Sequence, residues 1–341
     1  IRDSRVSRGL EMCIRDRNYT PYEGDESFLA EVSKSTSALW NQVLEGIKQE
    51  SRTHAPIDFD TDLPSTITSH DAGYINKDLE KIVGLQTDQP LKRAIIANGG
   101  IRMVKNSCEV YGRELDPTVE KIFTEYRKTH NKACFDLYTK EILACRKSGI
   151  ITGLPDAYGR GRIIGDYRRL ALYGIDFLKA DKKEQYNSTQ TFLEQGNDLE
   201  KTLRLREEIA DQVQALEDIR QMGLKYGIDM SLPAKTAQEA IQFTYFGYLA
   251  AVKSQNGAAM SLGRTSTFLD VYLERDIAND LIDESQAQEM IDHFIMKLRM
   301  VRFLRTPEYD SLFSGDPIWA TEAMAGMGVD GRTLVSKTTF R

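Results

Sequence analysis

The residues best placed to do chemistry run from Gly153 to Arg169, in the string GLPDAYGRGRIIGDYRR. Its glycines fall as GxGxxxG, not as the GxGxxG of a dinucleotide fold, and the chain has no GxxxxGK[ST], so a phosphate cradle is a poor fit. The loop does present Arg160 and Arg162 just ahead of a helical stretch that reads Leu170, Ala171, Tyr173, Gly174. A guanidinium fork matches a carboxylate with two parallel hydrogen bonds. Anion capture is therefore one reading, and a solvated basic turn paired with Asp156 and Asp166 is the other.

Two further strings could wall a pocket: Asn256 to Ser261, rich in small residues, and Asp316 to Ala320, which carries Trp319. Small residues let a ligand approach the backbone and rigid aromatics confine it, although ordinary core packing explains each string equally well. His70-Asp71 could be a base with its orienting carboxylate. No Ser or Cys nucleophile stands at a recognisable spacing from it, which favours a hydrogen-bonded loop histidine. The charged run Arg204 to Glu208 reads as a solvated helix face.

Metal chemistry finds little support. Cys13, Cys108, Cys134 and Cys145 make no CxxC, and His54, His70, His130 and His293 make no HxxxH or HExxH. Zinc and a disulfide framework are disfavoured, and free thiols suit a reducing compartment. A net charge of −6 over 341 residues argues against wrapping a nucleic-acid backbone. No apolar run approaches the length of a membrane span, and no signal-peptide pattern opens the chain, so the expected location is cytoplasmic. Residues 1–17 carry five arginines, no lysine and the triplet Ile-Arg-Asp twice. They read as a non-native leader, leaving 18–341 as one continuous domain cut inside an element at its C-terminal end.

The elements that must position these residues are mostly helical. Apolar stripes predict helices through Leu39, Trp40, Val43, Leu44 and Ile47, and through Leu205, Ile209, Val213, Leu216 and Ile219, the latter ending near Gly227. Asp116-Pro117 starts a helix carrying Val119, Ile122, Phe123 and Tyr126. Thr236 and Glu239 form a capping box ahead of Ala240 to Val252, and a last helix follows Asp283. Short strands are expected at Ala94 to Ile96, Ile150-Ile151, Ala258 to Ser261 and Thr333 to Val335. The stretches 51–76 and 307–332 read as long, functional loops. The fold class is α/β, a mostly helical shell around part of a sheet or barrel.

Longer strings then carry a resemblance. NYTPYEGDESF from Asn18, RTHAP from Arg52, STITSHDAGYI from Ser65, the Gly153 to Arg169 loop, SQNGAAM from Ser254 and FSGDPIW from Phe313 together resemble the N-terminal part of pyruvate formate-lyase, a glycyl radical enzyme family. The match runs from about Asn18 to Arg341 in order, departing visibly at Ala97-Asn98, where Pro-Phe is expected. The resemblance implies formate C-acetyltransferase chemistry, in which pyruvate and coenzyme A become acetyl-CoA and formate through glycyl and thiyl radicals. It also implies one half of a ten-stranded barrel, a homodimer, a radical-SAM activating enzyme as partner, and no metal in the chain.

By the same resemblance Arg162 holds the pyruvate carboxylate, and Ala258, Phe313 and Trp319 line the substrate pocket. Phe135, Arg146 and Lys147 fall where the family binds coenzyme A. The adjacent cysteine pair, a second arginine and the radical glycine come after Arg341 in the family's order. None of Cys108, Cys134 and Cys145 has an adjacent cysteine to stand in for the pair. The competing readings are a related glycyl radical enzyme acting on 2-oxobutyrate or a diol, and a non-catalytic module that holds an anion. The expected outcome is that the isolated chain forms no formate from pyruvate and coenzyme A after anaerobic activation; formate above the level of an unactivated control contradicts it.

Overall fold

The structure, a computed structural model, describes residues 19–95, 101–126, 136–151, 162–196, 198–254, 259–302, 304, 319–328 and 330–341. Helix α1 (Lys34–Thr53) begins at Ser33, whose side chain accepts from the Thr36 N–H, and His54 ends it in the left-handed region. Its predicted stripe buries Leu39 and Val43 against Leu85, Leu91, Met296 and Met300. Strands β1 (Phe59–Pro64) and β2 (Arg93–Ile95) pair in parallel. Helices α2 (Ile101–Tyr111) and α3 (Pro117–Lys121) close a second cluster over them, with Phe59, Ile95, Val104, Cys108, Val119 and Phe123 inside. The Asp116 side chain caps α3, but Ile122–Tyr126 continues as a wider π turn. That turn rotates Tyr126 off the predicted stripe, and it is 71% exposed.

Helix α4 (Lys140–Lys147) is amphipathic only weakly and buries nothing fully. Beyond it strand β3 (Arg162–Ile164) leads into α5 (Arg168–Glu194), which packs antiparallel-hairpin fashion on α6 (Leu199–Lys225). Gly174 interrupts α5 with φ of 71°, and a Cβ there would lie 2.5 Å from the Ser231 carbonyl oxygen. The break lets the Met230 to Ala234 segment cross the helix, where Ile175 N–H donates to Met230 O and Ala234 N–H to Ala171 O, both at 2.9 Å. In α6 Ile209 is buried, whereas Leu205 at the front of the predicted stripe is exposed, since the core does not reach that turn.

Helix α7 (Ala237–Ser254) is buried at every residue from Ala240 to Ala250. It is the hub of the main core, touched by α5, α6, α8 (Ser266–Ala278) and α9 (Glu284–Met300). Gln242 satisfies its buried amide by bonding both ways to the backbone of Val83, at 2.8 and 2.9 Å. Strand β4 (Ala259–Gly263) follows α7 and lies between β3 and β5 (Trp319–Glu322) in a three-stranded parallel sheet. A short helix, α10 (Lys337–Phe340), packs on α8.

Several strand expectations need correction. Ile150 and Ile151 form a turn whose N–H groups return to Cys145 O, because they follow directly on α4. Thr333 makes only an isolated bridge to Met327. The stretch 51–76 contains β1, and 307–332 contains β5, each too short for a period-2 pattern to declare itself.

Polar contacts lock α1, the 71–92 segment and α9 together. His293 is buried; Lys81 N–H donates to its Nδ1 at 3.0 Å, which leaves the proton on Nε2 for Thr36 Oγ1 at 3.1 Å. Beside it the buried Lys297 ammonium pairs with Glu80, which also accepts from the backbone of Ile75 and Asn76. Burial, chiefly, pushes the His293 imidazolium down to about 4, with Glu289 opposing and Lys297 and Lys81 reinforcing. The unfolded chain takes up this proton near pH 6.5 and the folded one does not. Stability from this group is therefore complete above pH 6.5 and is lost as the pH falls toward 4. We expect His293→Gln to flatten the dependence of unfolding free energy on pH in that window by up to one proton, about 1.4 kcal/mol per pH unit. Equal slopes for the two proteins in urea melts exclude this assignment.

Candidate active site

Two of the predicted pocket positions, Arg162 and Trp319, meet on the three-stranded sheet. Arg162, the first residue of β3, is in register with Ala259, and Ala259 is in register with Trp319, the first residue of β5. Residues far apart in sequence thus sit side by side at one end of three parallel strands, the end that receives the chain from the Gly153 loop and from α7. Ala258 precedes Ala259 directly but, like Phe313 and Phe135, it lies outside the described residues.

Local chemistry fixes how β3 enters α5. Gly165 allows the Tyr167 ring to fold back over the strand end, since a Cβ at that position would lie 2.4 Å from the ring. Tyr167 then stands edge-on to the buried Tyr248 of α7, ring centroids 5.7 Å apart. Asp166 is taken by Arg168, whose Nε lies 2.8 Å from Oδ1. Of the two carboxylates expected to neutralise a basic turn, this one is engaged on the helix side of the loop.

At the far side of the sheet, Glu322 ends β5 and its Oε1 accepts from the backbone N–H groups of Thr265 and Ser266, capping the first turn of α8. Burial raises its pKa above the ordinary carboxylate value. Nothing in the sequence pattern marks this glutamate, because the helix it caps is 57 residues away in the chain.

His70 has a carboxylate partner, although a different one from that suggested by the His70-Asp71 pair. Its Nε2 is 2.8 Å from Asp60 Oδ2, while Asp71 faces Lys225 at 3.4 Å. Ser69 Oγ is 2.8 Å from His70 Nδ1 and donates to Thr66 O at 3.0 Å. Asp60 also takes Lys92 at 2.8 Å, and both Asp60 and His70 are buried. The cluster is a satisfied polar node, and its serine is tied down within its own turn.

Lys253 is the costly residue of this region. It lies in the last turn of α7, five positions before Ala258, and is 2% exposed. Burial, followed by the positive charge of Lys225, pushes its ammonium down to about 8, with Asp60 the opposing charge. Ser65 Oγ donates to the Lys253 carbonyl at 2.7 Å, so the node around Asp60 and His70 also holds the end of α7.

The coenzyme A positions fall elsewhere. Arg146 and Lys147 occupy the last turn of α4, with Arg146 over the Tyr138 ring at 5.4 Å. Exposed Leu143, Ile150 and Ile151 lie around them. Two cations beside an apolar surface suit a phosphate-bearing ligand with a long organic body. Among the described residues no group of three or more metal-binding side chains occurs, and no helix is long and apolar enough to cross a membrane.

The sequence pattern of the pyruvate formate lyase-like proteins matches residues 5–341. The chain belongs to this family. Over 334 residues it is 70% identical to formate acetyltransferase 1 of Escherichia coli, a stretch that covers 97% of this chain and 44% of that protein. It is also 70% identical to formate acetyltransferase of Haemophilus influenzae over 331 residues, covering 96% of this chain and 43% of the relative. The chain thus spans less than half the length of these relatives. Among solved structures it resembles a glycyl radical enzyme from Archaeoglobus fulgidus, with a TM-score of 0.59 and 17% identity over 97% of this chain and 45% of that one. A Roseburia inulinivorans structure for 1,2-propanediol dehydration superposes with a TM-score of 0.68 and 16% identity over 93% and 45% of the two chains. At such identities the family fold is shared and the substrate is not addressed. The pyruvate formate lyase-like fold here is helix-rich with small parallel sheets.

The Lys253 environment yields an expectation of its own. A buried ammonium with its constant lowered from 10.5 to about 8 costs stability below pH 8. That cost is relieved as the pH rises from 8 toward 10.5, where the unfolded chain also loses the proton. Lys253→Met should raise the unfolding free energy at pH 7 by about 1–3 kcal/mol, and the gain should shrink at pH 10. A destabilised variant at pH 7 contradicts the assignment.

Proposed function

We propose that the chain supplies the substrate-holding part of a formate C-acetyltransferase, which converts pyruvate and coenzyme A into acetyl-CoA and formate. The observation that carries this reading is the register of Arg162, Ala259 and Trp319 across three adjacent parallel strands. The identity of 70% to two formate acetyltransferases supports it. In this reading the Arg162 guanidinium binds the carboxylate of the 2-oxo acid, and Ala258, Phe313 and Trp319 close an apolar pocket around its methyl and keto groups. Exclusion of water strengthens the ion pair and protects reactive intermediates. Arg146 and Lys147, with Phe135, hold coenzyme A at the surface through its phosphates and adenine.

The radical glycine and the paired cysteines, in the part of the relatives that this chain does not span, supply the C–C bond cleavage and carry the acetyl group. A radical-SAM enzyme installs the radical, and the working enzyme is a cytoplasmic homodimer whose sheet is half of a ten-stranded barrel. The positioning demanded of this chain is simple: one cation at the mouth of three strands, and apolar walls beside it.

The test joins residues 1–341 to the remainder of the Escherichia coli relative and activates the product anaerobically. Loss of a charged hydrogen-bond donor costs about 1.5–3 kcal/mol. Arg162→Ala should therefore raise KM for pyruvate roughly 10–100-fold, with KM for coenzyme A little changed, and Arg162→Lys should recover part of the loss. An unchanged KM for pyruvate in the alanine variant rejects the assigned role.

A further inference from the structure

The face of the three-stranded sheet that carries Leu262, Ala320 and Glu322 is left partly uncovered by the described helices. A cavity of about 660 Å³ opens there, floored by Leu262 and Ala320 and walled by Leu269 of α8 and Ile295 of α9. Met324 and Phe340 stand at its rim. Ile295, Met324 and Phe340 are 55%, 65% and 38% exposed, an apolar concentration unusual for a finished surface. Among the described residues, two polar atoms at the same place are buried without a hydrogen-bond partner: Glu322 Oε2 and Ser266 Oγ, the latter on a residue only 7% exposed. A buried carboxylate oxygen of this kind needs a donor.

We propose that this cavity is the seat of an apolar helix, carrying one N–H or O–H donor for Glu322 Oε2, from the portion of a full-length formate acetyltransferase that this chain does not span. The proposal rests on the functional reading above and adds the place where the two portions meet. A parallel sheet is covered by helices on both faces. Here α8, α9 and α10 flank the gap without filling it, and β5 is the outer strand among the described residues. One cation of the lining is already matched: Arg341, whose side chain is fully buried, pairs with Glu274, Glu284 and Asp270. What the cavity still requires is apolar volume and partners for Glu322 Oε2 and Ser266 Oγ, which the relative's length, more than half of it beyond this chain, can provide.

The experiment compares the chain alone with the same chain joined to the remainder of the Escherichia coli relative. Ile295→Cys and, separately, Met324→Cys place a thiol at exposed rim positions, and its rate of reaction with a maleimide is measured over the background of the unmutated protein. Both thiols should react readily in the chain alone and at least 10-fold more slowly in the joined protein. Equal rates in the two proteins overturn the proposal, and so does protection already present in the chain alone, which would mean that a second copy fills the cavity. Formate production by the joined protein is scored separately: activity with freely reactive thiols leaves the functional reading intact and removes this one, and protection without activity does the reverse.

Discussion

Helix α7 has no solvent face between Ala240 and Ala250, and that constraint organises most of the chain. A helix that is apolar all round must be surrounded. Here α5, α6, α8 and α9 surround it, and the segment around Val83 and Gly84 closes the remaining side through Gln242 and Tyr245. Because α7 runs straight into the turn before β4, its position in the core also sets where β4 lies. The pairing of β3 and β5 with β4 follows, so the alignment of Arg162 with Trp319 is a consequence of how a buried helix that lies between them in the chain is packed.

The polar groups around α7 divide into those that pay their desolvation and those that do not. Glu80 with Lys297, and Asp60 with His70 and Lys92, are complete, with partners on several sides. Lys253 and Glu322 are less well matched, and both stand at strand ends next to β4: Lys253 before its start, Glu322 opposite its finish. Incomplete satisfaction at such strand ends marks residues that stability alone would discard. The complete nodes lie farther out and serve to fix the loop segments on the helices.

Much of this was legible in the sequence wherever one face of a long element is apolar or a cap is local. The helix through Leu39 and Val43, the capping box at Thr236, the helix start after Asp283 and the end near Gly227 are all recovered. The short strands were not, since β3 has three residues and β5 four, and each pairs with a strand far away in the chain, Arg162 with Ala259 and Trp319 with Ala259. The His70 partner was misread for the same reason: Asp71 is adjacent in the chain, but neighbours alternate in direction, and the carboxylate that meets the ring comes from β1. Arg162 was singled out because its loop combines arginines with glycines and resembles the family's, whereas Glu322 has no local signal and becomes visible only when α8 is laid beside β5.

The same packing places Arg162 at the start of the short, outer strand β3. In a parallel sheet the strand ends collect loops at one edge of the layer, and a loop rich in glycine can deliver a long cation there without a side chain of its own to bury. Asp166, the nearest carboxylate on the α5 side, is already engaged by Arg168. The carboxylate nearest that strand end is thus neutralised by a residue of α5, which is what the proposed substrate-holding role requires of it.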